Sequence, residues 1–123
     1  MRKTDVVLIN VKNKTTKGTF YGAEIDTSNY KSATYVLKAS LTETGGSDAV
    51  TLDVKIQSYF PITNEWRDVV IFDQLSVTGD TTESVQTKIA TAGIGMKQRV
   101  VYTIGGAGAV GDCDLVVEGL YND

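Results

Sequence analysis

Alternation of apolar and polar residues with a period of two is the dominant pattern of the chain. It is clearest in residues 50–57, where every second residue is valine, leucine or isoleucine, and residues 35–42 repeat it. A period of two predicts strands with one buried face, as in an antiparallel sheet. The loop between these two runs, residues 43–48, is rich in glycine and small polar residues, which predicts a hairpin turn.

Further segments have the alternation or composition of strands, and they are residues 6–11, 18–25, 66–72, 84–90, 99–104 and 115–121. Residues 66–72 are apolar on both faces, which predicts a central strand. Residues 84–90 favour a strand, with a single helical turn left open. The glycine-rich residues 105–111 predict a turn between the last two strands. About seven or eight short strands without a convincing helix predict an all-β fold, an antiparallel β-sandwich or a jelly-roll-like barrel.

The length of 123 residues, with 41% hydrophobic and 22% charged residues, predicts one domain over residues 1–123. Residues 1–17 are left open as an extended arm of that domain. A chain of this length buries enough surface to fold without a metal or a disulfide. The single cysteine, Cys113, excludes an intramolecular disulfide, and we expect it to be a small residue at the start of a strand. Its neighbours Asp112 and Asp114 predict a raised thiol pKa.

The charge pattern excludes several classes of function. With a net charge of −3 and no histidine, the chain is a poor binder of nucleic acid and lacks histidine-based catalysis and zinc ligation. We therefore expect no enzyme activity, no catalytic residue, no cofactor and no metal. The basic residues near the start are Arg2, Lys3, Lys12, Lys14 and Lys17. They indicate either a solvated edge strand and loop, where lysine opposes edge-to-edge pairing, or a contact with an acidic partner.

Two motifs match functional patterns only in part. Residues 106–111 read G-x-G-x-x-G, but a strand-like segment follows them instead of the helix that holds a dinucleotide, so a flexible hairpin turn is favoured. Asp112 with Asp114, or Asp80 with Glu83, offers oxygen ligands for calcium without the loop pattern of an EF-hand. Carboxylates that form turns and cap strands are the favoured interpretation of both pairs.

Three aromatic residues flank a turn that contains the only proline. Trp66 begins a strongly apolar segment, which favours core packing. Tyr59 and Phe60 are adjacent and must point to opposite faces of an extended segment, so one of them is expected to be exposed. Exposed aromatic side chains stack on sugars or anchor a protein interface.

No apolar run approaches the roughly 20 residues that a membrane span needs, so no membrane partner is expected. The apolar residues 6–9 are too short for a secretory signal, and synthesis in the cytoplasm is expected.

The segment from residue 51 to residue 76 carries a resemblance to a known class of proteins. A strand at residues 52–57 leads into a turn, Trp66 follows, and an apolar strand ends at Phe72 with Gln74 close behind. This arrangement resembles small β-sandwich structural proteins of tailed bacteriophages. The later residues 98–106 and 115–120 are also similar, so that the resemblance covers about residues 33–121.

The resemblance implies a virion component, assembled in the host cytoplasm, that decorates and clamps the capsid shell. It implies the major capsid protein or another virion protein as partner, and a homo-oligomer. Two alternatives stay open. One is a tail or head-to-tail connector component, and the other is a carbohydrate-binding β-sandwich that uses Tyr59, Phe60 or Trp66 as a stacking platform. The residues expected at the interface are Arg2, Lys3, Lys12, Lys14, Lys17, Tyr59 and Phe60.

Overall fold

Two antiparallel sheets pack face to face in a computed structural model that describes residues 3–90 and 93–123. The strands of the described part are β1 (Lys3–Val11), β2 (Gly18–Tyr21), β3 (Ile25–Asp26), β4 (Ser32–Glu43), β5 (Val50–Phe60), β6 (Glu65–Ile71), β7 (Leu75–Val77), β8 (Thr81–Ala90), β9 (Lys97–Gly105) and β10 (Val110–Asn122). A four-stranded sheet has the order β1-β10-β4-β8. A six-stranded sheet has the order β2-β9-β5-β6, with β3 added on β9 and β7 on β5. The predicted all-β sandwich is confirmed.

The strand order is that of a jelly roll. Without the short β3 and β7, the first strand pairs with the last, and the connections mostly cross from one sheet to the other. Both predicted hairpins are therefore wrong, because residues 44–49 join β4 to β5 and residues 106–109 join β9 to β10, in opposite sheets. A glycine-rich loop suits either connection, since its composition does not specify which sheet receives the next strand.

The core lies between the sheets and uses the inward positions that the alternation predicts. On β4 the buried residues include Tyr35, Leu37 and Leu41, and on β5 they include Leu52 and Ile56. Each fully buried aliphatic side chain contributes roughly 1.5–3 kcal/mol through removal of apolar surface from water. The predicted strands at residues 35–42 and 50–57 are confirmed, and they supply the centres of the two sheets.

Two local predictions differ from the structure, and one short strand was not predicted. Residues 66–72 do not form a central strand, because β6 lies at the edge of its sheet and Ile71 is 63% exposed. Residues 18–25 form two strands instead of one, because the pairing with β9 is interrupted between Gly22, whose N–H still donates to the carbonyl of Val100, and Ile25. Strand β7 was not predicted, because its three residues are too few to show a period of two.

Part of the segment that was left open as an arm lies in the sandwich. Residues 3–11 form β1, which pairs with β10 along its length and interrupts the pairing only at a bulge near Leu8. Leu8 is buried in the core. The basic residues near the start suggested an edge strand, and β1 lies at the edge of the four-stranded sheet, where it covers one side of the core.

A buried polar network joins the two sheets at one end of the sandwich. The hydroxyls of Tyr35 and Tyr121, from the four-stranded sheet, both donate to Oε1 of Gln98, at 2.6 and 2.9 Å. Gln98 belongs to the six-stranded sheet, and its Nε2 donates to Oγ of Ser58 at 3.1 Å. Ser58 in turn donates to the carbonyl of Gly93 at 2.7 Å. Each polar atom of this network has a partner, which removes the cost of burying it.

A buried carboxylate joins three loops at the opposite end. Glu43, only 2% exposed, accepts backbone N–H donors from Gly45, Gly46, Gly79 and Ala109, at 2.5 to 2.8 Å. These hydrogen bonds, that of Gly46 foremost, lower the pKa of Glu43 to about 2. The loops that follow β4, β7 and β9 are thus held by one side chain.

Cys113 lies inside β10 and is fully buried, whereas the start of a strand was expected. Burial, followed by the negative charges of Asp114 and Asp112, raises the pKa of the thiol to about 11. The predicted direction of the pKa shift is confirmed, and burial is its larger cause.

The glycines of the G-x-G-x-x-G motif serve a close backbone contact. Gly106 has a φ of 87°, and a Cβ there would collide with the carbonyl oxygen of Ala49. The N–H of Gly108 donates to the same oxygen at 2.9 Å. Strand β10 follows, as predicted, in the place where a dinucleotide site has a helix.

Candidate functional site

The residues expected at an interface lie at two opposite ends of the sandwich. Lys12, Lys14 and Lys17 lie in the loop after β1, beside the end that contains Glu43. Lys3 pairs with Asn122 at the other end. Tyr59 and Phe60 end β5 at that same end but in the other sheet, and Arg2 lies outside the described residues. These residues therefore form no single basic and aromatic cluster among the residues described.

Part of the basic loop is held against the sandwich itself. The Nζ of Lys14 lies 4.0 Å from the ring centroid of Phe20, and the Nζ of Lys17 donates to the carbonyl of Gly106 at 2.8 Å. The backbone N–H of Asn13 donates to Asp114 at 2.6 Å. Lys12 is exposed. These contacts fix the path of the loop, so Lys14 and Lys17 have structural roles of their own.

The outer face of the six-stranded sheet carries a row of aromatic rings interrupted by an arginine. The guanidinium carbon of Arg99 lies 4.5 Å from the ring centroid of Tyr21 and 4.2 Å from that of Trp66. The rings of Trp66 and Tyr59 follow with centroids 5.4 Å apart, and the Nζ of Lys97 lies 5.2 Å from the Tyr59 ring. We call the outer surface formed by Tyr21, Arg99, Trp66, Tyr59, Gln57 and Asp68 the aromatic face.

Hydrogen bonds order the polar part of the aromatic face. The Nε of Arg99 donates to Oε1 of Gln57 at 3.0 Å, and Nε2 of Gln57 donates to Asp68 at 2.9 Å. Lys55 forms an ion pair with Asp68 at 3.2 Å. The hydrogen bond from Gln57, more than the charge of Lys55, lowers the pKa of Asp68 below its ordinary range. Side chains from β5, β6 and β9 are thereby held in one layer.

The alternating pattern of the sequence predicted only part of the aromatic face. Tyr59 and Phe60 point to opposite sides, as predicted, and Tyr59 is the one on the outer face. Trp66 pairs with Tyr59 and packs on Arg99 instead of entering the core. Arg99 and Tyr21 carry no signal in their own segments, because their proximity to Trp66 depends on the order of the strands in the sheet.

The outer face of the four-stranded sheet is unusually apolar. Ile89 and Leu120 lie on either side of Thr34, and Val85 and Val116 lie on either side of Lys38. Val36 sits between these two rows, so diagonal neighbours form one continuous patch. Val7 extends the patch onto β1 beside Glu118. We call Val7, Val36, Val85, Ile89, Val116 and Leu120 the apolar face.

Strand β8 has its polar and apolar sides reversed with respect to the core. Val85 and Ile89 point outward and are 67% and 72% exposed. Gln86 and Lys88 point inward, where both interact with Asp73. A strand at the edge of an isolated sandwich is expected to turn its aliphatic side chains inward. The reversal leaves two aliphatic side chains of β8 exposed to water on the outer side of the sheet.

A shallow depression of about 460 Å³ adjoins the apolar face, and Asn10, Lys12, Lys38, Glu83, Val85 and Asp114 are among the residues that line it. Lys12, one of the residues expected at an interface, lines the same depression as Val85 and Val116. Lys12 therefore lies at the border of the apolar face.

Of the four candidate calcium ligands, Asp114 and Asp80 have other partners, whereas Oδ1 of Asp112 is buried without a hydrogen-bond partner. Asp114 accepts from Asn13, and Asp80 accepts from the N–H of Thr81 at 2.8 Å. Over residues 3–90 and 93–123, no three histidine, cysteine or acidic side chains come together as metal ligands would. Within the same ranges, no helix has the length and apolar character of a membrane span.

No protein-family model and no curated protein sequence matches the chain. Among solved structures, a chain of infectious bursal disease virus Gx strain is similar, with 9% identity, coverage of 98% of this chain and 33% of that one, and a TM-score of 0.58. A chain of the infectious bursal disease virus VP2 subviral particle has 14% identity, coverage of 98% and 32%, and a TM-score of 0.54. This chain thus spans about one third of each viral chain.

The CBM22-1 xylan-binding domain of Xyn10C from Paenibacillus barcinonensis is similar over nearly its whole length. The identity is 8%, the coverage is 98% of this chain and 86% of that domain, and the TM-score is 0.53. At sequence identities this low, structural similarity shows only that the folds are alike. The fold is that of a β-sandwich that other proteins use as a structural or binding module.

Proposed function

We propose that this chain is a structural protein of the bacteriophage virion that decorates the capsid shell and binds it through the apolar face. The reversed strand β8 carries the proposal, because its outward Val85 and Ile89 become buried only if another surface covers them. The resemblance of residues 33–121 to small virion proteins of tailed phages supports a shell as that surface. The jelly-roll arrangement supports it further, since viral capsid domains commonly have this architecture.

The mechanism is non-covalent. Covering the apolar face removes aliphatic side chains from water, while Lys38, Glu83 and Glu118 on the same face provide polar pairs that set the orientation. Copies that are associated as a homo-oligomer contact the shell at several points at once. Modest affinities of the individual contacts then add up to stable retention of the protein on the shell. The proposal assigns no catalytic step to any residue.

The test uses phage particles that lack the protein and purified protein added back to them. Wild type is expected to co-sediment with the particles. The double variant Val85→Glu, Ile89→Glu is expected to bind at least about tenfold more weakly, because it places charges in a buried interface. The matched control is Ile71→Glu, which makes the same change at an exposed isoleucine of the opposite sheet.

Three outcomes would contradict the proposal. If the wild-type protein does not co-sediment with the particles, the particle is not its partner. If the double variant and the control are retained equally, the apolar face is not the contact surface. Copy number decides the place in the virion. Copies on the order of hundreds support decoration, whereas about six or twelve indicate a ring at the tail or connector.

A further inference from the structure

The aromatic face, on the sheet opposite to the apolar face, has the features of a ligand site. We propose that it binds a neutral polysaccharide chain built of pyranose rings. The proposal does not depend on attachment to a shell, because the two faces belong to different sheets. If both proposals hold, a protein attached by one sheet presents the other to its surroundings.

Stacking surfaces are present and are held in place. A pyranose ring presents C–H groups on its faces, and these pack on the flat surface of an aromatic ring. Tyr21, 60% exposed, and the partly exposed Trp66 and Tyr59 offer such surfaces on one side of the sheet. The guanidinium of Arg99 lies between two of these rings, and the hydroxyl of Tyr59 hydrogen-bonds to Asn64. A platform fixed in this way loses little conformational entropy on binding.

Sugar hydroxyls need donors and acceptors next to the stacking surface. Gln57, Asp68 and Arg99 form a hydrogen-bonded row on the three adjacent strands β5, β6 and β9. An amide offers both donors and acceptors, a carboxylate offers acceptors, and a guanidinium offers several donors. Aromatic surface with a few ordered polar groups is the usual composition of a small-molecule or carbohydrate site.

The charges of this region favour a neutral ligand. Lys55 is paired with Asp68 at 3.2 Å, and Lys97 is paired with Glu24 at 3.4 Å. Arg99 is shared between two rings and Gln57. Because Lys55 and Lys97 are each paired with a carboxylate, Arg99 adds a single positive charge to the face, which is far less than the charge that binds nucleic acid or an anionic polymer.

The shape of the face favours an extended chain. Two open depressions border the aromatic row, one of about 180 Å³ next to Lys55, Ile71 and Val101, and one of about 280 Å³ next to Tyr59 and Lys97. A surface this open encloses little of an isolated monosaccharide, whereas a chain of several sugar rings contacts the platform at several points. Phe60 lies outside the site because it points to the other side of β5, toward Arg67.

Trp66 is the only tryptophan of the chain and lies within the proposed site, so its fluorescence reports binding to the unmodified protein. We would titrate wild type with xylohexaose, cellohexaose and maltohexaose, and with polygalacturonate as the anionic probe. A saturable change in the Trp66 spectrum with at least one neutral hexasaccharide is expected. No binding of any of the three, or binding of polygalacturonate alone, overturns the proposal.

Variants separate the aromatic face from the rest of the surface. Tyr21→Ala and Trp66→Ala are expected to weaken hexasaccharide binding at least about tenfold in isothermal titration calorimetry, as for anchors of a stacked ligand. Thr78→Ala, a change at an exposed residue after β7 at the opposite end of the sandwich, is the control and should bind like wild type. Tyr21→Ala keeps the test valid if Trp66→Ala unfolds, because Tyr21 is exposed on an edge strand. Unchanged binding by Tyr21→Ala and by a folded Trp66→Ala would refute the site.

Discussion

At the scale of single residues, the buried polar side chains contribute more to this fold than their sequence context indicates. Glu43 occupies an inward position that continues the alternation of Tyr35, Leu37 and Leu41, so a hydrophobic residue would fit the pattern there. Two of its backbone partners, Gly79 and Ala109, come from loops distant in sequence, which no local period reveals. The role of Gln98 is hidden for the same reason, because both of its tyrosine partners belong to the other sheet.

Replacing Gln98 with leucine should destabilise the protein by about 2–5 kcal/mol, because two buried tyrosine hydroxyls lose their acceptor. Urea unfolding followed by tryptophan fluorescence measures the difference. Gln74→Leu is the control, since Gln74 is exposed and binds only the exposed Asp53 among the contacts found, and a change within about 0.5 kcal/mol is expected. Equal stability of the two variants would show that the network adds nothing.

Glu43→Gln should lower the urea midpoint at neutral pH, because the amide cannot replace a charged acceptor for four N–H donors. The folded pKa of about 2 lies below the ordinary 4.5. The carboxylate therefore stabilises the fold above pH 4.5, and this contribution is lost as the pH falls toward 2. The gap between wild type and variant should narrow over that interval.

The control for this prediction is Glu83→Gln at an exposed position. Its midpoint should follow wild type at neutral pH. A constant gap between wild type and Glu43→Gln from neutral to acidic pH would contradict the assigned role of the charge.

Cys113 should resist thiol reagents in the folded protein, because it is buried and its pKa is raised to about 11. Labelling with a chromogenic disulfide reagent should proceed only through unfolding, so its rate should rise with urea in step with the unfolded fraction. Rapid labelling of the folded protein in buffer would mean that β10 opens locally.

At the scale of the element, periodicity located strands better than it located their neighbours. The alternation in β4, β5 and β8 predicted these strands, because one face of each meets a different environment from the other. It did not predict that β6 is an edge strand, because apolar residues on both faces of a strand do not by themselves distinguish a central strand from an edge strand. Which sheet a strand joins depends on partner strands that are distant in sequence. The composition of the loops does not specify these partner strands.

Removal of residues 1–11 tests the role of the first strand. The deletion exposes the edge of β10 and removes Leu8 from the core, so we expect a lower melting temperature and association through the uncovered edge. The point change Leu8→Ala alone should cost about 2–5 kcal/mol. A truncated protein that melts like wild type and elutes as a single species of unchanged size would show that β1 is dispensable.

At the scale of the whole molecule, the two outer faces differ in chemistry. The four-stranded sheet presents aliphatic side chains, and the six-stranded sheet presents aromatic rings with ordered polar groups. The sequence predicted that one of Tyr59 and Phe60 is exposed, whereas both are partly buried, with Tyr59 on the outer face. It did not predict Arg99 or Tyr21 beside it, nor the continuity of the apolar face, because both depend on which strands become neighbours in a sheet.

The pairing of β1 with β10 and of β4 with β8 and β10 has a kinetic consequence. Strand β4 acquires both of its neighbours only from the last third of the chain, so the four-stranded sheet closes large loops before it gains hydrogen bonds. Topologies of this kind fold in milliseconds to seconds, slower than helical proteins of similar size. During synthesis β4 therefore remains without its first neighbour until the ribosome has added residues 81–90, and without its second until residues 110–122 have followed.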